Sequence, residues 1–220
     1  MKCLNLFSGT RSWSKVQRQL GHEAFDLDNN PKCEMDLDVD ILKWDYKKWA
    51  SENNIKPGDL RLITASPPCT SYSQCNCKKG DKLYIEEERK KGDMLVQRTL
   101  DIIDYFKPQY YCIENPAYGA LRHRAVVKGL KSVVVCYCRY GYLRMKPTRL
   151  FTNIQGLEDR KCLGRKEGGC KACYLDSETN RWKHRQTYGS NKKDERNSTY
   201  NDVLSLPPAL CHTVMKLCEN

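Results

Sequence analysis

The stretch ITASPPCTSYS, residues 63–73, decides how the rest of the chain is read. The apolar run Leu60 to Ala65 has the length and composition of a buried strand, and Pro67 and Pro68 follow it after a single serine. Each proline ring fixes φ and removes a backbone donor, so the pair ends any ladder and hands Cys69 to a stiff, extended loop. A thiol held that firmly beyond the end of a strand is a candidate functional group.

Working outward, short apolar runs alternate with amphipathic stretches. Cys3 to Phe7, Glu23 to Leu27, Tyr110 to Glu114, Val133 to Tyr137 and Arg149 to Asn153 read as strands. A helix-like segment runs to Leu20. Another spans Glu86 to Phe106, with Leu95, Thr99, Ile102, Ile103 and Phe106 at helical spacing. This alternation predicts βαβ units in an α/β fold with a mostly parallel sheet. The closing SLPPALCHTVMKLC, residues 205–218, predicts a helix with Leu206, Leu210, Val214 and Leu217 on one stripe. Residues 155–200 are polar and Cys-bearing, with no clear period. They read as a small insert in a single domain spanning 1–220.

Composition narrows the function classes. The 220 residues, 40% hydrophobic, suffice for one substantial core. No apolar stretch approaches the roughly 18 residues that span a bilayer, and Arg11 and Lys15 interrupt any signal-peptide pattern, so an intracellular protein is expected. A formal charge of +11 suits a polyanionic partner such as nucleic acid. Thirteen cysteines, an odd number scattered through strands and loops, fit reduced thiols better than a disulfide frame. Within the insert, Cys162, Cys170, Cys173 and His184 offer the donors of a tetrahedral zinc site.

The first strand leads into a Gly-containing turn, LNLFSGTRSWS at residues 4–14, where open α/β sheets bind ligands. Gly9 allows close backbone approach. No G-x-G-x-x-G cradle follows, so a ligand without a pyrophosphate suits the turn better than a dinucleotide. Asp28, ending the second strand, is placed to accept from ribose hydroxyls, and Asp40 from an adenine amine.

Four landmarks in order, LFSGTRSWS, SPPCTSYS, IENP and YGYLRMKPTRLFTN, together resemble the cytosine C5 DNA methyltransferases, in particular compact members from phages and large DNA viruses. The resemblance runs from residue 2 to about 154 and returns at the last helix. It implies a Rossmann-like S-adenosylmethionine-dependent methyltransferase fold acting on a base rotated out of its helix. Cys69 would add as a thiolate to C6 of cytosine, making C5 nucleophilic. Glu114 would donate a proton at N3, Asn115 would hold the glutamate and its loop, and Arg149 would orient the base. Phe7, Ser8, Gly9, Thr10, Asp28, Asp40 and Pro67 would hold the cofactor.

The loop after Cys69 would close over nucleic acid, with Tyr72 and Gln74 near the base and Lys78 and Lys79 at phosphates. The insert stands where the family carries its target-recognition region, in reduced form, which leaves room for a protein partner. Arg160, Lys161, Arg165, Lys166, Lys171, Arg181, Lys183 and Arg185 would there contact the backbone. Met145 and Pro147 replace two members of the family's Q-x-R-x-R segment, and Leu204 replaces an asparagine of its last motif. The same chemistry on RNA, and a catalytically silent nucleic-acid-binding protein on this fold, stand as alternatives.

Overall fold

The structure is a computed structural model describing all residues except 34, 73–80, 163, 165–169, 171, 185–204 and 220. Its main sheet has seven strands: β1 (Lys2–Leu6), β2 (Glu23–Asp28), β3 (Leu37–Asp38), β4 (Leu60–Ala65), β5 (Tyr110–Pro116), β6 (Ser132–Cys136) and β7 (Pro147–Thr152). The spatial order is β3-β2-β1-β4-β5-β7-β6. β1 to β5 pair in parallel, and β7 runs antiparallel between β5 and β6. The sheet is therefore mostly parallel, as the alternation of runs predicts.

Helices cover both faces, which is why β1 (KCLNL) and β4 (LRLITA) are nearly continuous apolar runs rather than alternating ones. On one face α1 (Ser12–Gln19) and the last helix, α4 (Pro208–Glu219), bury Trp13, Val16, Leu210 and Val214 against Leu62, Cys112 and Leu150. On the other, α2 (Tyr46–Glu52) and α3 (Lys82–Phe106) bring Trp49, Val96, Ile102 and Phe106 onto Leu4, Ile63 and Phe151. A fully buried side chain of this size contributes about 1.5–3 kcal/mol, so both faces are firmly held.

The observed boundaries differ from the expected ones for physical reasons. α3 starts at Lys82 rather than Glu86 because Asp81 caps it, accepting from the Leu83 amide at 3.2 Å. The seven-residue α2 is too short to show a period, and it is set by the Asp45 cap, which accepts from Lys48 N–H at 3.0 Å. Within 155–200 lies a hairpin, β8 (Cys173–Asp176) with β9 (Arg181–His184). After Pro68 the chain is not extended. Thr70–Tyr72 form a 3-10 turn in which the Tyr72 amide donates to Cys69 O at 3.0 Å, a bend that the proline φ permits as readily as extension. No helix among the described residues is long and apolar enough to cross a membrane.

From β1 the chain builds outward through β2 and β3, then returns to the other side of β1 to form β4. This reversal opens a crevice above the carboxyl ends of β1 and β4, the place where such sheets bind ligands.

Candidate active site

A cavity of about 470 Å³ occupies that crevice. Its walls are strand ends: Phe7, Ser8, Gly9 and Thr10 after β1, Pro67, Pro68 and Cys69 after β4, and Glu114 and Asn115 at the end of β5. Met145 and Lys146, just before β7, close one side, and Trp13 of α1 and Leu206 another.

A buried polar network fixes the first turn. Asn5 donates to Gln17 Oε1 at 2.8 Å and accepts from Gln17 Nε2 at 3.1 Å and from Thr64 Oγ1 at 2.7 Å, joining β1, α1 and β4. All three side chains are buried, and their mutual pairing offsets the cost of desolvating them. Above the network Phe7 takes the left-handed conformation at φ 56, uncommon for a bulky residue and a form of strain that collects at ligand sites. The Ser8 hydroxyl donates to Asp26, and the Gly9 amide to Asp28 Oδ2 at 2.9 Å.

Asn115 ties the two motif loops together, donating through Nδ2 to Pro67 O at 3.1 Å. Glu114, beside it, accepts from the Tyr137 hydroxyl at 3.2 Å, and Lys146 Nζ lies 3.7 Å from the same oxygen. Tyr137 and Lys146 are additions to the expected site. Lys146 stands in the quoted YGYLRMKPTRLFTN immediately before its strand, which is the only sequence signal for it.

Opposing influences meet at Cys69. Burial pushes its thiol above the ordinary value, the Glu114 carboxylate adds to this, and the Lys146 ammonium opposes both. The resting group is a protonated thiol with a cation close enough to favour its ionisation.

Other expected positions fall elsewhere. Arg149 does not line the cavity: its guanidinium donates to Ser132 Oγ at 2.7 Å. The register explains why. Glu114 lies opposite Leu150 and Asn115 opposite Arg149, so the pleat puts Arg149 and Glu114 on opposite faces of the sheet. Asp28 accepts from the Gly9 amide and is not among the cavity's lining residues. Asp40 caps its own loop, accepting from Leu42 N–H at 3.0 Å, and is not a lining residue.

Tyr72 touches the cavity yet is a core residue, 1% exposed, with its hydroxyl donating to Asp93 Oδ1 at 3.0 Å. Arg124 grips the same Asp93 at 2.6 Å and Glu86 at 2.7 Å. Gln74, Lys78 and Lys79 lie outside the described residues, as do Arg165, Lys166, Lys171, Arg185 and Leu204. Of the other basic residues, Lys161 pairs with Asp159 at 2.9 Å and Lys183 with Asp176 at 2.7 Å, while the Arg160 guanidinium sits over the Tyr140 ring. Cys162, Cys170, Cys173 and His184 do converge, and Cys138, from the turn after β6, joins them.

No family model matches the chain. A probable DNA (cytosine-5)-methyltransferase of Frog virus 3 (isolate Goorha) is 31% identical over 227 residues, covering 99% of this chain and 100% of that protein. The DNA (cytosine-5)-methyltransferase PliMCI of Paracentrotus lividus is 22% identical over 161 residues, 64% of this chain and 10% of its own length. Two solved structures align with part of the chain. A putative DNA modification methyltransferase encoded within an E. coli prophage has a TM-score of 0.49 at 15% identity, over 69% of this chain and 46% of its own. S. pombe Dnmt2 methyltransferase gives 0.46 at 17% identity, over 72% and 52%. With the Frog virus 3 protein matched end to end at 31% identity, and the Pro-Pro-Cys and Glu-Asn-Pro loops facing one cavity, the chain belongs to the DNA (cytosine-5)-methyltransferase family.

Proposed function

We propose that this enzyme transfers a methyl group from S-adenosylmethionine to C5 of cytosine in DNA through a covalent adduct between Cys69 and C6. The observation that carries the reading is the placement of Cys69, Glu114 and Lys146 around the same cavity as the Gly9 turn. The thiol is protonated at rest, so attack must be accompanied by loss of its proton, and the Lys146 cation favours the thiolate as it forms. As sulfur bonds to C6, electron density moves onto C5 and toward N3, where Glu114, in its carboxylic-acid form, serves as the proton donor. C5 then bonds to the methyl carbon, whose bond to the cofactor's sulfur would break; loss of the C5 proton to a base, return of the N3 proton to Glu114 and departure of the Cys69 sulfur restore the ring. Asn115 and Tyr137 act as positioning residues: one fixes the loop of Cys69, the other the carboxyl of Glu114.

S-adenosylmethionine, when bound, supplies the electrophilic methyl group. The residues present fit it. Phe7, Ser8, Gly9, Thr10 and Pro67 would hold it, and two buried atoms lining the cavity, Trp13 Nε1 and Asn115 Oδ1, have no partner among the described residues. One is a donor and the other an acceptor, the complement that a ligand bearing amine, hydroxyl and carboxylate groups would satisfy. The charge of +11 suits a phosphate backbone. We read 1–220 as one catalytic domain in which 155–200 is a reduced target-recognition region, open to help from a partner protein.

The test is adduct formation with 5-fluorocytosine oligonucleotides, in which fluorine at C5 blocks release of the sulfur. With S-adenosylmethionine, duplex DNA should give a denaturation-resistant complex that Cys69→Ser abolishes. An adduct formed on tRNA but not on duplex DNA would reassign the substrate to RNA. An adduct that persists in Cys69→Ser would sink the assignment of the nucleophile.

A further inference from the structure

Beyond β7 the chain returns along the free edge of β6. The Arg160 amide donates to Val134 O at 2.9 Å, and Arg160 O accepts from Cys136 N–H at 3.0 Å. This pairing carries Cys162, two residues on, to the turn after β6, where Cys138 is buried. From the opposite side comes the β8–β9 hairpin, whose register places Cys173 across from His184, with Cys170 just ahead. Five residues distant in sequence thus meet in one small volume.

Their spacing is that of metal ligands. The donor atoms of Cys138, Cys162, Cys170 and His184 all lie within 4.8 Å of one another. Cys162 Sγ is 3.7 Å from Cys170 Sγ, and His184 Nε2 is 3.2 Å from Cys162 Sγ and 3.3 Å from Cys170 Sγ. A tetrahedral zinc with bonds of about 2.3 Å to sulfur and 2.0 Å to nitrogen separates its ligands by roughly 3.5–3.8 Å. A disulfide needs about 2.05 Å, and these cysteines are free.

The packing points the same way. A lone two-stranded hairpin is marginal in water, and this one exposes Tyr174, Leu175 and Trp182 instead of burying them. The apolar cluster beneath it is small, with Cys136, Cys138, Cys170 and Ala172 as its buried members.

We propose that Cys138, Cys162, Cys170 and His184 bind one zinc ion, which staples the hairpin to the end of β6. Three thiolates and one imidazole make a closed structural set, with no open position for catalysis. The set differs from the four insert residues that the sequence suggests, because Cys138, from the turn that follows β6, takes the place of Cys173. Cys173 is the competing ligand, 3.3 Å from Cys170 Sγ and 3.4 Å from His184 Nε2. The segment closed between Cys138 and Cys162 contains Lys146 and β7, so the ion braces the wall of the cavity that carries the lysine.

Metal analysis of the purified full-length chain tests this. One zinc per chain is expected, lost in Cys138→Ser and Cys162→Ser and kept in Cys173→Ser. Cobalt should replace zinc and give the intense visible bands and thiolate charge-transfer absorption of a tetrahedral sulfur-rich site. A variant that fails to fold leaves a readout on the wild type: maleimide labelling with peptide mapping, in which cobalt or zinc protects Cys138 and chelator treatment exposes it. A wild type that purifies without metal and takes up no cobalt overturns the proposal. Full zinc in Cys138→Ser together with its loss in Cys173→Ser overturns the ligand set and the staple.

Discussion

The cavity and the Cys/His cluster lie along the same edge of the sheet, one over its central strands and the other at the outer strand β6, and are held by different forces. Around the cavity, each functional side chain sits at the end of a strand whose neighbours are hydrogen-bonded on both sides and whose faces are packed by helices. At the cluster, a short hairpin with exposed aromatics touches the sheet mainly through thiols and an imidazole. Bond-making chemistry tolerates little misplacement, and the densest part of the molecule supplies that precision. The outlying element relies on a few polar contacts. Substitutions at the cavity should therefore remove activity while sparing the fold, and substitutions at the cluster should loosen the hairpin first.

The largest effect is expected at Cys69. Cys69→Ser should lower methyl transfer by at least about a thousand-fold, as loss of a covalent nucleophile does, with the unfolding midpoint almost unchanged because the residue is only partly buried. Cys162→Ser should instead disturb the hairpin and leave the midpoint of the main sheet in place. A Cys69→Ser protein that kept its activity, or that unfolded, would erase the distinction. Next comes Glu114→Gln. Losing a proton donor costs roughly a hundred- to ten-thousand-fold in kcat.

Charge effects follow with a definite sign. Glu114 raises the Cys69 thiol and Lys146 lowers it, so the pH dependence of Cys69 alkylation should move to lower pH in Glu114→Gln and to higher pH in Lys146→Met. Arg149→Met should leave the profile where it is, since that guanidinium is on the far face at Ser132. A shift in Arg149→Met as large as that in Lys146→Met would mean that the positive charge at the thiol had been assigned to the wrong residue.

Legibility in the sequence followed the same divide. β4 spans Leu60–Ala65, as read from its apolar run, and the Pro-Pro-Cys and Glu-Asn-Pro loops do face each other, because strand ends marked by proline leave local signals. Arg149 was misplaced because a linear motif does not state the phase of the pleat, and one residue along a strand moves a side chain to the other face. Asp40 had a local partner, its own turn, and a single sequence shows no competition between capping and ligand binding. Asn5, Gln17 and Thr64 looked like ordinary polar residues in apolar runs, and their mutual pairing exists only once three elements are packed. Cys138 escaped notice because its neighbours in space come from beyond β7.

The smallest effect sharpens the comparison most, because it asks whether the loop of Cys69 is truly part of the packed core. A Cβ at Gly92 of α3 would lie 2.8 Å from both Cζ and the hydroxyl of Tyr72, and 3.0 Å from Ser71 Cβ. Two effects then oppose each other in Gly92→Ala. Alanine favours the helix by about 0.5–1 kcal/mol over glycine. Overpacking a buried ring costs about 1–3 kcal/mol, and this ring has no easy retreat, being fully buried with its hydroxyl held by Asp93. The net expectation is destabilisation by about 1 kcal/mol, a fall of roughly 2–4 °C in Tm for a chain of this size. Moving Tyr72 also drags the turn whose amide donates to Cys69 O, so kcat should fall along with stability. Tyr72→Phe removes one of the two atoms at 2.8 Å and releases the ring from Asp93, and the double variant should therefore be more stable than the sum of its single changes. If Gly92→Ala instead stabilises the protein by its helix propensity alone, Tyr72 is free to swing aside, and the loop of Cys69 belongs with the loosely held region rather than with the sheet.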